Sequence, residues 1–255
     1  MQRHGGGRSG PPPARHSSDA VSGAVSGAVS GALSGAGSSA LRRRARGAAP
    51  VSAAPVPAGE ASQAADPAQI LPRLAQPVPA RTDFVEVRGS ALLKAPLRVS
   101  GEYRRPDAST LVREVRAPYA ETTTIRTGAR PGQGEVSIAR AGKPAKTFSL
   151  SRAPELVALQ ASFGALLGGD RAALDQHYRL GADGTRRQWT ITMTPKDAKL
   201  AARVRDIALL GRDDELLCIE TRPARGNEQQ RTLLGSAARA AAGVADASRL
   251  AALCR

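Results

Sequence analysis

Histidine is the side chain best suited to move protons near neutral pH, and this chain carries three: His4, His16 and His177. Two lie in the N-terminal tail, and His177 stands beside Tyr178 near a helix end, where it reads as a surface or capping residue rather than a base. No serine sits in a nucleophile elbow, and no pair of carboxylates stands out as an acid and base couple. Asp213-Asp214-Glu215 has the composition of a cation site, but the stretch reads as a turn between strands, where acidic residues are common. Gly132-Gln133-Gly134 lacks the strand-to-helix setting of a phosphate loop and reads as a hairpin tip. Cys218 and Cys254 have no further ligands near them in sequence, so zinc is not expected. Taken alone, they fit one disulfide or two inert thiols. The residues offer no catalytic constellation and call for no cofactor.

What they do offer is an apolar face. Leu97, Val99, Gly101 and Tyr103 alternate with Arg98, Ser100, Glu102 and Arg104, the period of a half-buried strand. Arg105-Pro106-Asp107 reads as a turn, Leu111 to Arg116 as a second strand, and Thr122 to Ile125, after Pro118, as a third. Three strands this close leave no room for crossover helices, so they form an antiparallel meander. Before them, Asp66-Pro67 caps a short helix carrying Ile70, Leu71 and Leu74, and Phe84 to Leu92 reads as a strand. After them, Glu135 to Arg140 and the strand of Phe148 and Leu150 make a hairpin about Ala141-Gly142-Lys143-Pro144.

The period then changes to that of a helix. From Pro154, residues Leu156, Leu159, Phe163 and Leu166 fall three and four apart. Asp170 caps a second helix through Leu174 and Tyr178, and Asp183-Gly184 reads as a turn. Trp189, Ile191 and Met193 alternate with threonines, and Thr194-Pro195-Lys196-Asp197 reads as the capping-box-like start of a short helix over Ala198–Ala202. Ile207–Leu210 and Leu216–Glu220 form a hairpin, Gln230–Leu234 adds a last strand, and Ala237–Leu253 is helix-prone. The sum is α+β: one antiparallel sheet with a few helices over one face. That face collects Leu97, Val99, Tyr103, Leu111, Val115, Val136, Ile138, Phe148, Leu150, Trp189 and Ile191. Such residues fill a core or line a hollow, and composition does not choose.

The formal net charge of +15 raises the question of nucleic acid, and Arg42–Arg46 adds a basic cluster. Against this, aromatics make up only 3 % of the chain, too few for base-stacking platforms. No apolar run approaches the roughly 18–20 residues of a membrane span. Residues 1–65 are low complexity, with Val-Ser-Gly-Ala repeats from Val21, and are expected to be disordered. They hold no secure export signal: Ala20–Ala40 is interrupted by Ser and Gly, and Leu41-Arg42-Arg43-Arg44 matches a twin-arginine signal only loosely.

From about Ala68 to Leu234 the chain resembles the LolA-like branch of the periplasmic outer-membrane lipoprotein carriers. The resemblance rests on Leu93-Lys94-Ala95-Pro96-Leu97 with Ser100-Gly101, then Arg105-Pro106, and Pro118-Tyr119 with Glu121-Thr122. Pro154-Glu155-Leu156, Ala165 to Asp170, Trp189 before Thr194-Pro195, and Gly211-Arg212-Asp213 continue it. It implies an unclosed antiparallel half-barrel whose concave face is covered by helices, with the disordered tail in front. Residues 66–235 would form the carrier domain and 236–255 a helical tail. It further implies a non-enzymatic carrier in the periplasm that shields acyl chains of a lipoprotein or lipid on the way to the outer membrane. The eleven face residues would line the cavity, Leu156, Leu159, Phe163 and Leu166 the lid, and Arg105 the lid latch. The partners would be an acylated cargo, an inner-membrane exporter and an outer-membrane acceptor, with no nucleic acid and the carrier a monomer. A periplasmic setting would favour a Cys218–Cys254 disulfide. The alternative is a basic cytoplasmic protein that binds nucleic acid or an anionic surface.

Overall fold

The computed structural model describes residues 63–89, 96–130, 133–150, 171–226 and 229–255. Its first element is helix α1, Pro67–Leu74, whose N-cap Asp66 accepts a hydrogen bond from the amide of Ala68. Six strands follow: β1 Ala80–Arg88, β2 Leu97–Asp107, β3 Thr110–Ala117, β4 Glu121–Thr127, β5 Gly134–Arg140 and β6 Lys143–Ser149. Helix α2, Arg171–His177, leads into β7 Tyr178–Thr185 and β8 Gln188–Pro195. Helix α3, Ala198–Ala201, precedes β9 Val204–Arg212, β10 Glu215–Pro223 and β11 Gln230–Leu234. Two short helices close the chain, α4 Gly235–Ala240 and α5 Ala247–Ala252.

All eleven strands form one antiparallel sheet in the order β6-β5-β4-β3-β2-β1-β11-β10-β9-β8-β7. Two meanders, β1 to β6 and β7 to β11, are joined where β1 pairs with β11 (Phe84 opposite Leu234). β6 and β7 are the edges, so the sheet is an unclosed half-barrel.

Both faces are apolar. The inner face joins Phe84, Val99, Tyr103, Val115, Val136, Ile191, Leu209 and Leu234 in one buried cluster, roofed by Ile70, Leu71 and Leu74 of α1, Leu174 of α2 and Leu200 of α3. Two aromatic rings cross this face where a glycine leaves the space. A Cβ on Gly101 would stand 3.0 Å from the Phe84 ring and 1.9 Å from the carbonyl of Glu114, and one on Gly211 would stand 2.2 Å from the Trp189 ring.

On the outer face Val85, Leu217, Cys218 and Leu233 are buried under Ala237, Ala238 and Ala241 at α4, together with Leu250 and Cys254. Arg98 of β2 fixes this packing by donating to the carbonyls of Ala241 (2.7 Å) and Val244. A Cys218–Cys254 disulfide ties the end of the chain to β10, with the Cα atoms 5.3 Å apart.

Five sequence-based expectations change. The helices do not all lie over one face, because α4 and α5 cover the other. Tyr178 does not end a helix but opens β7, and that strand runs through Asp183-Gly184 to turn at Arg186-Arg187. β2 continues through Arg105-Pro106 to Asp107, since a register shift between Arg104 and Asp107 takes the proline out of the ladder. The tail expected as one helix over Ala237–Leu253 is two, parted at Gly243 (φ +75°) and restarted by the Asp246 cap. The first strand lies at Ala80–Arg88 instead of 84–92.

The disulfide spans 36 residues, for which the chain-entropy account gives about 3–4 kcal/mol of stability. Cys254→Ser is expected to lower the denaturant midpoint of the oxidised protein and to expose the tail to protease. Unchanged unfolding curves for the variant and for reduced wild type would show that the bond contributes nothing.

Candidate functional site

Alternation within each strand decides what reaches the inner face. On β2 it is Val99, Gly101, Tyr103 and Arg105; on β3, Leu111, Arg113 and Val115; on β4, Glu121, Thr123 and Ile125; on β5, Val136, Ile138 and Arg140. The eleven residues expected on one apolar face meet in the inner cluster. Nine are buried there, while Leu97 and Phe148 pack against it partly exposed. Leu156, Leu159, Phe163 and Leu166 lie outside the described residues.

Arg105 is 8 % exposed and donates from Nη1 to the carbonyl of Gln76 (3.2 Å), two residues beyond α1. Burial lowers its guanidinium pKa below the ordinary value. This arginine therefore holds the exit of a helix that roofs the inner face.

The other chemistry-bearing residues noted from sequence lie away from this face or in structural roles. His177 ends α2, and its carbonyl accepts from the amide of Lys196 (2.9 Å). Asp213-Asp214 forms the β9–β10 turn: the carbonyl of Asp213 accepts from Trp189 Nε1 (3.0 Å), and Asp214 pairs with Arg73 (3.5 Å). No metal-holding cluster occurs among the described residues.

Sequence reasoning missed a line of charged side chains across the inner face. Glu86 of β1 is 0 % exposed and Arg113 of β3 is 4 % exposed. Arg88 binds Glu86, Arg113 Nη2 lies 3.4 Å from Glu86 Oε2, Arg113 Nη1 lies 3.8 Å from Glu121 Oε1, and Arg140 binds Glu121. The guanidinium of Arg113 also stands over the Phe84 ring, 4.9 Å from its centroid, and Phe84 packs on Tyr103 at 4.5 Å. Burial works to lower the Arg113 pKa, but the Tyr103 phenol and the Glu86 carboxylate outweigh it and raise the value. Burial raises Tyr103 far above the ordinary phenol, and the opposing pull of Arg113 does not cancel it. A signal was present in sequence: Val85-Glu86-Val87 puts the glutamate, not the valines, on the face of Phe84.

Much of the remaining basic charge is paired. On the surface Arg104 meets Glu114 (3.0 Å), Arg116 meets Glu102 (2.8 Å), Arg222 meets Asp206 (2.7 Å) and Arg231 meets Glu220 (2.7 Å).

Comparison with known proteins settles the family. The family described as outer membrane lipoprotein carrier protein LolA-like matches over residues 58–255. The chain belongs to that LolA-like family. Among solved structures it is similar to a LolA superfamily protein from Nitrosomonas europaea, at 10 % identity and a TM-score of 0.35, covering 67 % of this chain and 90 % of that one. It is also similar to LprF from Mycobacterium bovis, at 13 % identity and a TM-score of 0.30, covering 67 % and 91 %. No curated protein matches the sequence. LolA-like carriers are as a rule extracytoplasmic and non-enzymatic, and no helix among the described residues is long and apolar enough to cross a membrane.

The raised Tyr103 pKa has a measurable consequence. The unfolded phenol ionises near pH 10, whereas the buried one resists, so its contribution to stability is complete below that pH and is lost as pH rises above it. Tyr103→Phe is expected to flatten the fall in stability between about pH 10 and 12. In native wild type, the phenolate absorbance of Tyr103 should stay silent until unfolding. An equally steep alkaline loss in the variant would contradict the burial argument.

Proposed function

We propose that this protein is a non-enzymatic periplasmic carrier that shields the acyl chains of a lipoprotein or lipid on the inner face of its half-barrel during transfer towards the outer membrane. What carries the reading is the contrast between the two faces of the sheet in a member of the LolA-like family. The outer face is closed by the chain's own tail and a disulfide. The inner face, contiguous from β1 to β5 and from β8 to β11, is roofed among the described residues by helices of eight, seven and four residues.

Magnitudes suit a carrier. Ile70, Leu71 and Leu74 are worth about 1.5–3 kcal/mol each when buried, so docking α1 contributes about 5–9 kcal/mol. A chain of about sixteen carbons, at about 0.8 kcal/mol per methylene, gains about 12 kcal/mol in the same place. Cargo met in water can therefore displace a roof helix. Cargo drawn from a bilayer has that burial already, so opening the roof then costs about the docking energy of α1, which the exporter has to supply. Residues 66–235 are the proposed carrier unit; Leu156, Leu159, Phe163 and Leu166 its lid; Arg105 its latch. The partners are an inner-membrane exporter and an outer-membrane acceptor, with the carrier a monomer.

Titration with a fluorescent fatty-acid analogue tests the reading: saturable uptake, reversed by an unlabelled acylated competitor, is expected, and a flat response would end it. Val99→Glu places an unpaired charge on a fully buried inner-face site. Its expected result is loss of uptake, with stability reduced by several kcal/mol; normal uptake would show that the wrong face was assigned. Arg105→Leu removes the hold on Gln76 and should speed cargo release to acceptor vesicles several-fold while changing equilibrium uptake less. Unaltered release kinetics would retire the latch.

A further inference from the structure

The charged line inside the half-barrel does not complete itself. Arg113 and Thr123 stand directly opposite each other on β3 and β4, both turned to the inner face. They are 4 % and 2 % exposed, yet Arg113 Nε and Thr123 Oγ1 have no hydrogen-bond partner among the described residues. The nearest carboxylate oxygens, 3.4 and 3.8 Å from the Arg113 nitrogens, lie beyond the roughly 2.7–2.9 Å of a full charge-assisted bond. Arg88 and Arg140 stand at the more exposed ends of the line, so Arg113 is the one guanidinium buried within it, beside Glu86, Glu121 and the Tyr103 hydroxyl.

A buried donor without a partner costs about 1–3 kcal/mol, and a buried charge held loosely costs more. An apolar face meant only as core would be better served by leucine at these positions. We propose that Arg113 and Thr123 form a site for one anionic group, a phosphate or carboxylate attached to an acyl chain, so that the cargo is an acidic lipid or an acylated molecule with an acidic head. Arg113 Nε and the Thr123 hydroxyl, the two buried donors without partners, donate to it. The chain lies along Val99, Val115, Val136 and Ile138 of the same face. This deepens the carrier reading and rests on it: acyl chains supply affinity, and this site supplies choice of head.

The test compares probes sharing one sixteen-carbon chain. Lysophosphatidic acid is expected to displace the fluorescent fatty-acid analogue about tenfold more tightly than monoacylglycerol, which is about 1.4 kcal/mol. Inorganic phosphate without a chain is expected to displace nothing at millimolar concentration. Thr123→Val removes only a hydroxyl that bonds nothing in the empty protein, so the fold should be as stable, and the tenfold ratio should fall about threefold. Arg113→Gln combined with Glu86→Gln removes the buried pair together, avoiding a lone buried carboxylate, and should bring the ratio close to one.

Equal affinity for the two lipids in wild type, or an unchanged ratio in both variants, would overturn the head-group site and leave the carrier reading standing. Displacement by inorganic phosphate would show a free-anion site and overturn the proposal. Binding of neither lipid would overturn both readings together.

Discussion

Strand β1 is buried on both sides, and most of the architecture follows from that. Phe84 and Glu86 turn inward while Val85 and Val87 turn out, so neither face of the sheet can be left to water at its centre. β9 and β10 share the condition: Ile207-Ala208-Leu209 and Leu216-Leu217-Cys218-Ile219 are buried as continuous runs. A sheet apolar on both faces needs two covers. Here the covers differ in kind. Outside, alanines of α4 approach closely because their side chains are small, Arg98 binds the carbonyls at the end of that helix, and a covalent bond closes the tail. Inside, the cover is made of short helices held by side-chain packing and by Arg105.

That asymmetry gives the half-barrel a direction. Opening the outer side would break a covalent link and empty an alanine-packed interface that no guest is shaped to refill. Opening the inner side exchanges leucine and isoleucine contacts for others of the same chemistry, at a cost an acyl chain can match. On the proposed function, the rigid outer layer is what lets the inner layer move without the sheet losing its curvature.

How far the sequence shows this depends on whether a strand has one wet face. β2, β3, β5 and β8 do, and their alternation is plain; the apolar residues of the inner face were legible from them, the charged ones among them were not. β7 was not, because Gly181, Asp183 and Gly184 are poor strand formers, and the edge position that tolerates them is a tertiary fact. The tail was legible as helix but not as cover: its small residues show little amphipathic pattern, and only the two-sided runs in β9 and β10 signal that something must lie outside. The charged line was hidden by a convention. Val85-Glu86-Val87 reads as valines in and glutamate out, and it reverses once the tail claims the valines.

That reversal also bears on what the inner face is for. A permanent core gains nothing from Glu86, Arg113, Glu121 and Thr123: burying ion pairs is at best near neutral against apolar side chains of equal volume, and donors without partners are a loss. Strand alternation did not impose them, since a leucine at any of these positions would satisfy the same register. Stability of the filled, closed state therefore does not explain their presence, whereas a face that meets a molecule with both an apolar and an ionic part does. The arrangement also limits where such a molecule can sit. The charged side chains come from β1, β3, β4 and β5, whereas the inner-face residues of β8 and β9, Trp189, Ile191, Met193, Ile207 and Leu209, are apolar. A guest on this face would meet charge on the half built from the first meander, and hydrocarbon on the half built from the second.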